Sequence, residues 1–136
     1  MNNIKEELKQ EYSSTLDKIF NRVSSVEEMQ DTVNLMKLIP TMLDLQNQKA
    51  LAYGRSYAKH GEFSIFFNLD RKYDRIENYM KSKMDSKSID KFAIPSETIT
   101  DTILDMGVYS LMWAGYNFEK NPELFDSWKK NNLAVN

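Results

Sequence analysis

Apolar residues recur at the spacing of an α-helix along most of this chain, and that spacing leaves little room for any other element. Ile4, Leu8, Tyr12, Leu16, Ile19 and Val23 follow one another at intervals of four, four, four, three and four, one stripe on a first helix over residues 3–23. Ser24 and Ser25 interrupt it, and Ser25 with Glu28 has the spacing of a capping box. A second helix carries Met29, Val33, Met36 and Leu38 up to Ile39, which Pro40 pushes away from the α region. Beyond Pro40, either Thr41 caps a further helix through Leu51 or the helix continues with a kink. Tyr53-Gly54 ends this run, and residues 54–61, GRSYAKHG, read as a loop. From Glu62 a stripe resumes through Phe66, Leu69, Tyr73, Ile76 and Met80. Residues 81–95 are rich in Ser, Lys and Asp and read as an exposed, mobile connection. Ser96 caps a long helix over 97–117, and Asn121-Pro122 opens a short last one, with Asn as cap and Pro at the first position. With four Gly, three Pro and no hairpin signal, the expected fold is all-α: one domain over 1–136, a bundle of four to six helices, oligomeric.

Composition removes several chemistries. The chain has no cysteine, so disulfide frameworks, thiolate zinc sites and Cys nucleophiles are excluded. His60 is the one histidine, which excludes multi-His metal sites, and the serines have no nearby His and Asp set to activate them. No apolar stretch approaches the ~18–20 residues of a membrane span. The polar, acidic start, Met1 to Glu7, predicts no signal peptide and a cytoplasmic protein. Charge is uneven: residues 1–48 hold five Lys/Arg and eight Asp/Glu, 49–91 hold ten and six, and 92–136 hold three and six. A basic middle between acidic ends suits a small polyanion and not DNA, which requires a broad basic face.

The helix from Glu97 is the most informative element. At 100° per residue, Glu97, Asp101 and Asp105 lie at about 0°, 40° and 80°, on one face. Leu104, Val108, Leu111 and Met112 share nearly that face, and Ile99, Met106 and Trp113 the opposite one. No Lys or Arg stands between Phe92 and Glu119, so the acids have no partner on their own helix. Acids at i and i+4 repel, and an unpaired buried carboxylate costs several kcal/mol or is protonated. Three arrangements relieve them: a hard cation such as Mg²⁺ or Mn²⁺, Lys or Arg from another helix, or simple exposure. The helix macrodipole favours Glu97 at the N-terminus but does not reach Asp105, two turns in.

Two basic segments supply possible partners. Lys49 to Tyr57 mixes cations, aromatics and a glycine, with Tyr53 able to stack on a base and Arg55 to hold a phosphate. Read alone it is equally a helix end with its tyrosines in the core. Arg71, Lys72 and Arg75 lie on the helix from Glu62, with Lys72 and Arg75 the inward pair, placed to meet either the Glu97 stripe or a phosphate. Asp70, Asp74 and Glu77 read as a solvated edge with local partners, Arg71 to Asp74 and Glu77 to Lys81.

Lys49, Tyr53-Gly54-x-Ser56, Arg71-Lys72-x-Asp74-Arg75 and Glu97-x3-Asp101-x3-Asp105-x3-Tyr109 occur in this order over residues 42–115. In these motifs the chain resembles the phage and bacterial nucleotide modification associated domain 1 proteins. Those are distantly similar to the all-α, MazG-like nucleoside triphosphate pyrophosphohydrolases and dimeric dUTPases. The resemblance implies a helical bundle, dimeric or larger, a nucleotide ligand, and Mg²⁺ or Mn²⁺ held by helix carboxylates. Carried over by position, Asp101 and Asp105 are metal ligands and Glu97 a third ligand or base, which makes Glu97 and Asp101 the catalytic candidates. Lys49, Arg55, Ser56, Lys72 and Arg75 face phosphates, and Tyr53 lines the pocket. Two positions depart from the pattern. Ala52 stands where that family tends to have Asp before its Tyr-Gly, and no Glu-x-x-Glu pair precedes. Two-metal hydrolysis thus lacks its second carboxylate pair, while nucleotide binding keeps its residues.

Three functions follow as expectations. The first is a metal-dependent nucleotide hydrolase, the second a non-catalytic phage-type binder that sequesters a nucleotide signal, and the third a helical structural or adaptor dimer. None involves a membrane or DNA.

Overall fold

The computed structural model describes residues 1–55, 59–85 and 95–133. It contains five α-helices and no strand among these residues: α1 (Asn2–Arg22), α2 (Gln30–Tyr53), α3 (Glu62–Asp85), α4 (Glu97–Lys120) and α5 (Pro122–Asn132). The fold class is therefore all-α, as the periodicity predicts. The chain divides into two compact units, Met1–Lys49 and Ala50–Asn136.

In the first unit α1 ends where Val23 turns to an extended conformation, with Arg22 in the last turn, complementary to the carbonyl end of the helix. Leu16 and Ile19 are half-buried, while Ile4, Leu8 and Tyr12 stay exposed. The Ser-Glu signal after α1 is used, one residue out of step. The Ser25 hydroxyl accepts from the Glu28 backbone N–H at 3.3 Å. The Glu28 carboxylate, however, reaches back to Ser24, accepting from its backbone N–H at 3.4 Å and its hydroxyl at 3.2 Å. One 3₁₀ turn, Glu27–Met29, precedes α2. α2 runs through Pro40 without a break, so Thr41 starts no new helix. The ring forgoes one i→i−4 hydrogen bond, and the turns on both sides hold the helix.

The second unit begins inside the last turn of α2. Gly54 stops that helix at φ +69°, with its N–H donated to the Ala50 carbonyl at 2.8 Å. At this left-handed C-terminal position the absence of a Cβ matters. Helix α3 continues to Asp85, so residues 81–85 of the expected mobile connection are helical; of the rest, 86–94 lie outside the described residues. Ser96 caps α4, its hydroxyl accepting from the Ile99 N–H at 3.3 Å. Pro122 opens α5 as expected, but Asn121 makes no side-chain cap; its backbone N–H instead donates to the Asn117 carbonyl. Phe118 of α4 stacks on Phe125 of α5 at 4.6 Å between ring centres, with Trp128 beside both.

Gly107 and Gly115 sit inside α4 with open space where a Cβ would stand. An interior helical glycine costs about 0.5–1 kcal/mol relative to alanine. Gly107→Ala is therefore expected to stabilise the chain by about that amount, seen as a higher urea midpoint with an unchanged slope.

Candidate functional site

The site is built on the seam between α3 and α4. Near the start of α3, Trp113 donates its indole N–H to Glu62 Oε1 at 3.0 Å, and Phe66 meets the same indole edge-on. Further along α3, Lys72 Nζ lies 3.1 Å from Asp105 Oδ2 and 5.9 Å from the Tyr109 ring centre. Later residues of α3 thus meet earlier residues of α4, and the helices are antiparallel. Ile65 is fully buried and Thr102 is 2% exposed, the apolar and polar anchors of the unit. The Thr102 hydroxyl donates to the Thr98 carbonyl at 2.9 Å, which lets a polar side chain be buried without an orphaned group.

Of the three acids in the α4 stripe, Glu97, Asp101 and Asp105, only Asp105 is drawn into the seam. The Lys72 and Asp105 side chains are 19% and 20% exposed, enough desolvation for the pair to matter, with water still at its edge. Lys from another helix is thus what compensates the innermost carboxylate. Glu97 and Asp101 are exposed in the first turns of α4. Among the described residues no three His, Cys, Asp or Glu side chains gather closely enough to hold a metal ion. With Asp105 bound to Lys72, the donor set does not fit a three-carboxylate centre. Glu97 and Asp101 remain as two acids one turn apart.

The remaining expected residues fall in other places. Arg55 faces Glu119 as a fork, with one guanidinium nitrogen 2.7 Å from Oε2 and the other 3.4 Å from Oε1. That cation holds the Glu119 carboxyl below the usual carboxylate range. Fourteen residues of helix separate Asp105 from Glu119, roughly 21 Å at 1.5 Å per residue. Arg55 in this pose is out of reach of the Lys72–Asp105 pair. Lys49 is the last residue of the first unit. The Tyr53 side chain and Ser56 lie outside the described residues. His60 is exposed. The acidic edge behaves as a solvated face, with Lys81 pairing Glu77 at 2.9 Å, the carboxylate raising the ammonium pKa. Arg71 turns to Asn68 and not to Asp74.

What sequence reasoning missed lies next to Arg75. An open cleft between α3 and α4 is lined by Arg75, Asn78, Tyr79, Ser82 and Thr98, with Thr102 at its floor. The signal was present as spacing: Arg75, Tyr79 and Ser82 follow at four and three, and Thr98 and Thr102 at four, each set on the seam side of its helix.

Two measurements test this geometry. In a double-mutant cycle, Lys72→Met and Asp105→Leu are each expected to cost about 1–3 kcal/mol, and the double variant less than their sum, because each single change strands a half-buried charge. The Glu119 carboxyl, followed by NMR, is expected to titrate below an ordinary Glu. Its folded pKa is depressed, so its tie to Arg55 stabilises above the ordinary Glu value, roughly pH 4.3, and is lost as pH falls through the lower folded value. Arg55→Gln is expected to return the midpoint to the ordinary value.

A protein of Bacillus phage SP01 described as "Gene 30 protein" is 24% identical to this chain over 122 residues, covering 79% of the chain and 54% of the phage protein. The chain thus spans about half the length of the relative it matches. No family model matches the sequence. No solved structure matches it.

Proposed function

We propose that the chain is a nucleotide-binding helical protein whose phosphate contacts come from the α3 side of the α3–α4 seam. One observation carries this reading. Lys72 and Arg75 both stand at that seam; Lys72 is tied to Asp105, and Arg75 makes no ion pair among the described residues. A guanidinium with its donors open beside an aromatic ring is suited to a phosphate carrying a base. Binding without turnover is favoured over hydrolysis. The acids that resemble metal ligands are divided between an ion pair at Asp105 and two exposed positions at Glu97 and Asp101. The proposal includes association with a second copy, since Phe63, Phe67 and Leu111 of the second unit remain more than half exposed.

The test is incubation of the purified protein with nucleoside mono-, di- and triphosphates and cyclic nucleotides, with and without Mg²⁺, followed by chromatographic separation. Stoichiometric depletion is expected, with the ligand released intact on denaturation, and Arg75→Ala is expected to weaken it about tenfold or more, near 1.4 kcal/mol. Light scattering of the same sample is expected to give a homodimer or larger. Metal-dependent conversion of many equivalents, lost in Asp101→Asn, would establish the hydrolase instead. No depletion by any nucleotide would sink both.

A further inference from the structure

We propose that the cleft between the C-terminal half of α3 and the first turns of α4 binds a phosphate monoester bearing one planar group, with Arg75, Ser82 and Thr98 on the phosphate and Tyr79 against the plane. The cleft measures about 440 Å³, within the usual range of small-ligand pockets and sized for one small molecule, not a polymer.

Its lining decides the charge of the ligand. No carboxylate among the described residues lines it, so these offer nothing to a hard cation. Glu77 and Asp105 are engaged with Lys81 and Lys72, and the acids next to the lining residues in sequence, Asp74, Glu97 and Asp101, are exposed and do not line the cleft. Arg75 contributes five donors, and none is taken up by an ion pair among the described residues. A second cation, Lys83, has its ammonium 5.8 Å from the Tyr79 ring centre, adding to the positive potential over that face.

Its polar groups decide the ligand class. The Thr102 hydroxyl has already given its one proton to the Thr98 carbonyl, so the floor of the cleft is closed to hydrogen bonding as a donor. The donors that remain stand at the rim: the Arg75 fork, the Asn78 amide and the Ser82 and Thr98 hydroxyls. A phosphate monoester has three terminal oxygens to receive them, more than a carboxylate offers. Tyr79 and Ile99 then face what the phosphate is attached to, an apolar, planar surface. A nucleoside monophosphate and an aryl phosphate share this chemistry. The inference rests on the nucleotide reading for the identity of the planar group and stands apart from it for the phosphate.

The full chain, labelled with ¹⁵N, is titrated with inorganic phosphate, phenyl phosphate and adenosine 5′-monophosphate. The two esters are expected to bind more tightly than inorganic phosphate and to shift the Ser82 and Thr98 amides and the Asn78 side-chain amide. Arg75→Lys is expected to weaken all three probes about tenfold, because an ammonium cannot form the fork. Tyr79→Leu is expected to remove the preference for the esters and leave inorganic phosphate unchanged. Should Tyr79→Leu disturb packing, Ser82→Ala at an exposed position is expected to weaken every probe alike. Nucleotide binding that leaves these amides unmoved and is indifferent to Arg75→Lys would overturn the cleft and leave the nucleotide reading intact. Phenyl phosphate bound in the cleft with no nucleotide bound anywhere would uphold the cleft and overturn that reading. No binding of any probe overturns both.

Discussion

The ion pair between Lys72 and Asp105 is the constraint from which the second unit takes its register. Apolar contacts alone set a helix seam loosely, because neighbouring turns present similar surfaces. A charge pair that is four-fifths desolvated tolerates no such slip. Moving α3 past α4 by one turn, about 5.4 Å, would strand both charges and part Glu62 from the Trp113 indole. The polar contacts thus select one alignment from several that Ile65 and its neighbours would accept.

That alignment determines the chemistry available. It spends Asp105 on Lys72, so the three acids of the α4 stripe do not gather as one group among the described residues. It also carries Arg75 one turn past the ion pair, opposite the threonines of α4, where no acid among the described residues pairs with it. One lysine is consumed to fix the helices, and the next cation along the same face is left with its donors open. The contrast with Arg55 is instructive. The same residue type, also exposed, is held by Glu119 at the far end of α4 and makes a structural tie from just past Gly54 to the last turn of α4.

Helix limits were legible because their causes are local. Gly54 stops α2, Ser96 starts α4 and Pro122 starts α5, each through the backbone of its own turn. Pro40 was ambiguous for the same reason: one missing hydrogen bond kinks or ends a helix depending on what supports the flanking turns, and here the helix continues. The length of α3 was underread because Lys81 to Asp85 is polar but for Met84, and polarity says loop only when no helix pairs such as Glu77–Lys81 support it.

The candidate site was legible in half. Residues on one helix face can be grouped from spacing, so Glu97, Asp101 and Asp105, or Lys72 and Arg75, could be named as sets. Spacing also showed that the acids lacked a partner within their own helix. It did not say which cation would arrive, and the motif order placed Arg55 beside Lys72 and Arg75, whereas roughly 21 Å of helix lies between Asp105 and the acid that holds Arg55. The sequence by itself determined an all-α chain, its helix ends and the residues each face carries, since these follow from backbone hydrogen bonding within a few positions. The tertiary structure alone decided which faces meet, which acid is paired with a cation and which cation makes no ion pair among the described residues. Those outcomes depend on the antiparallel register of two helices, and register is set by contacts between residues far apart in the chain.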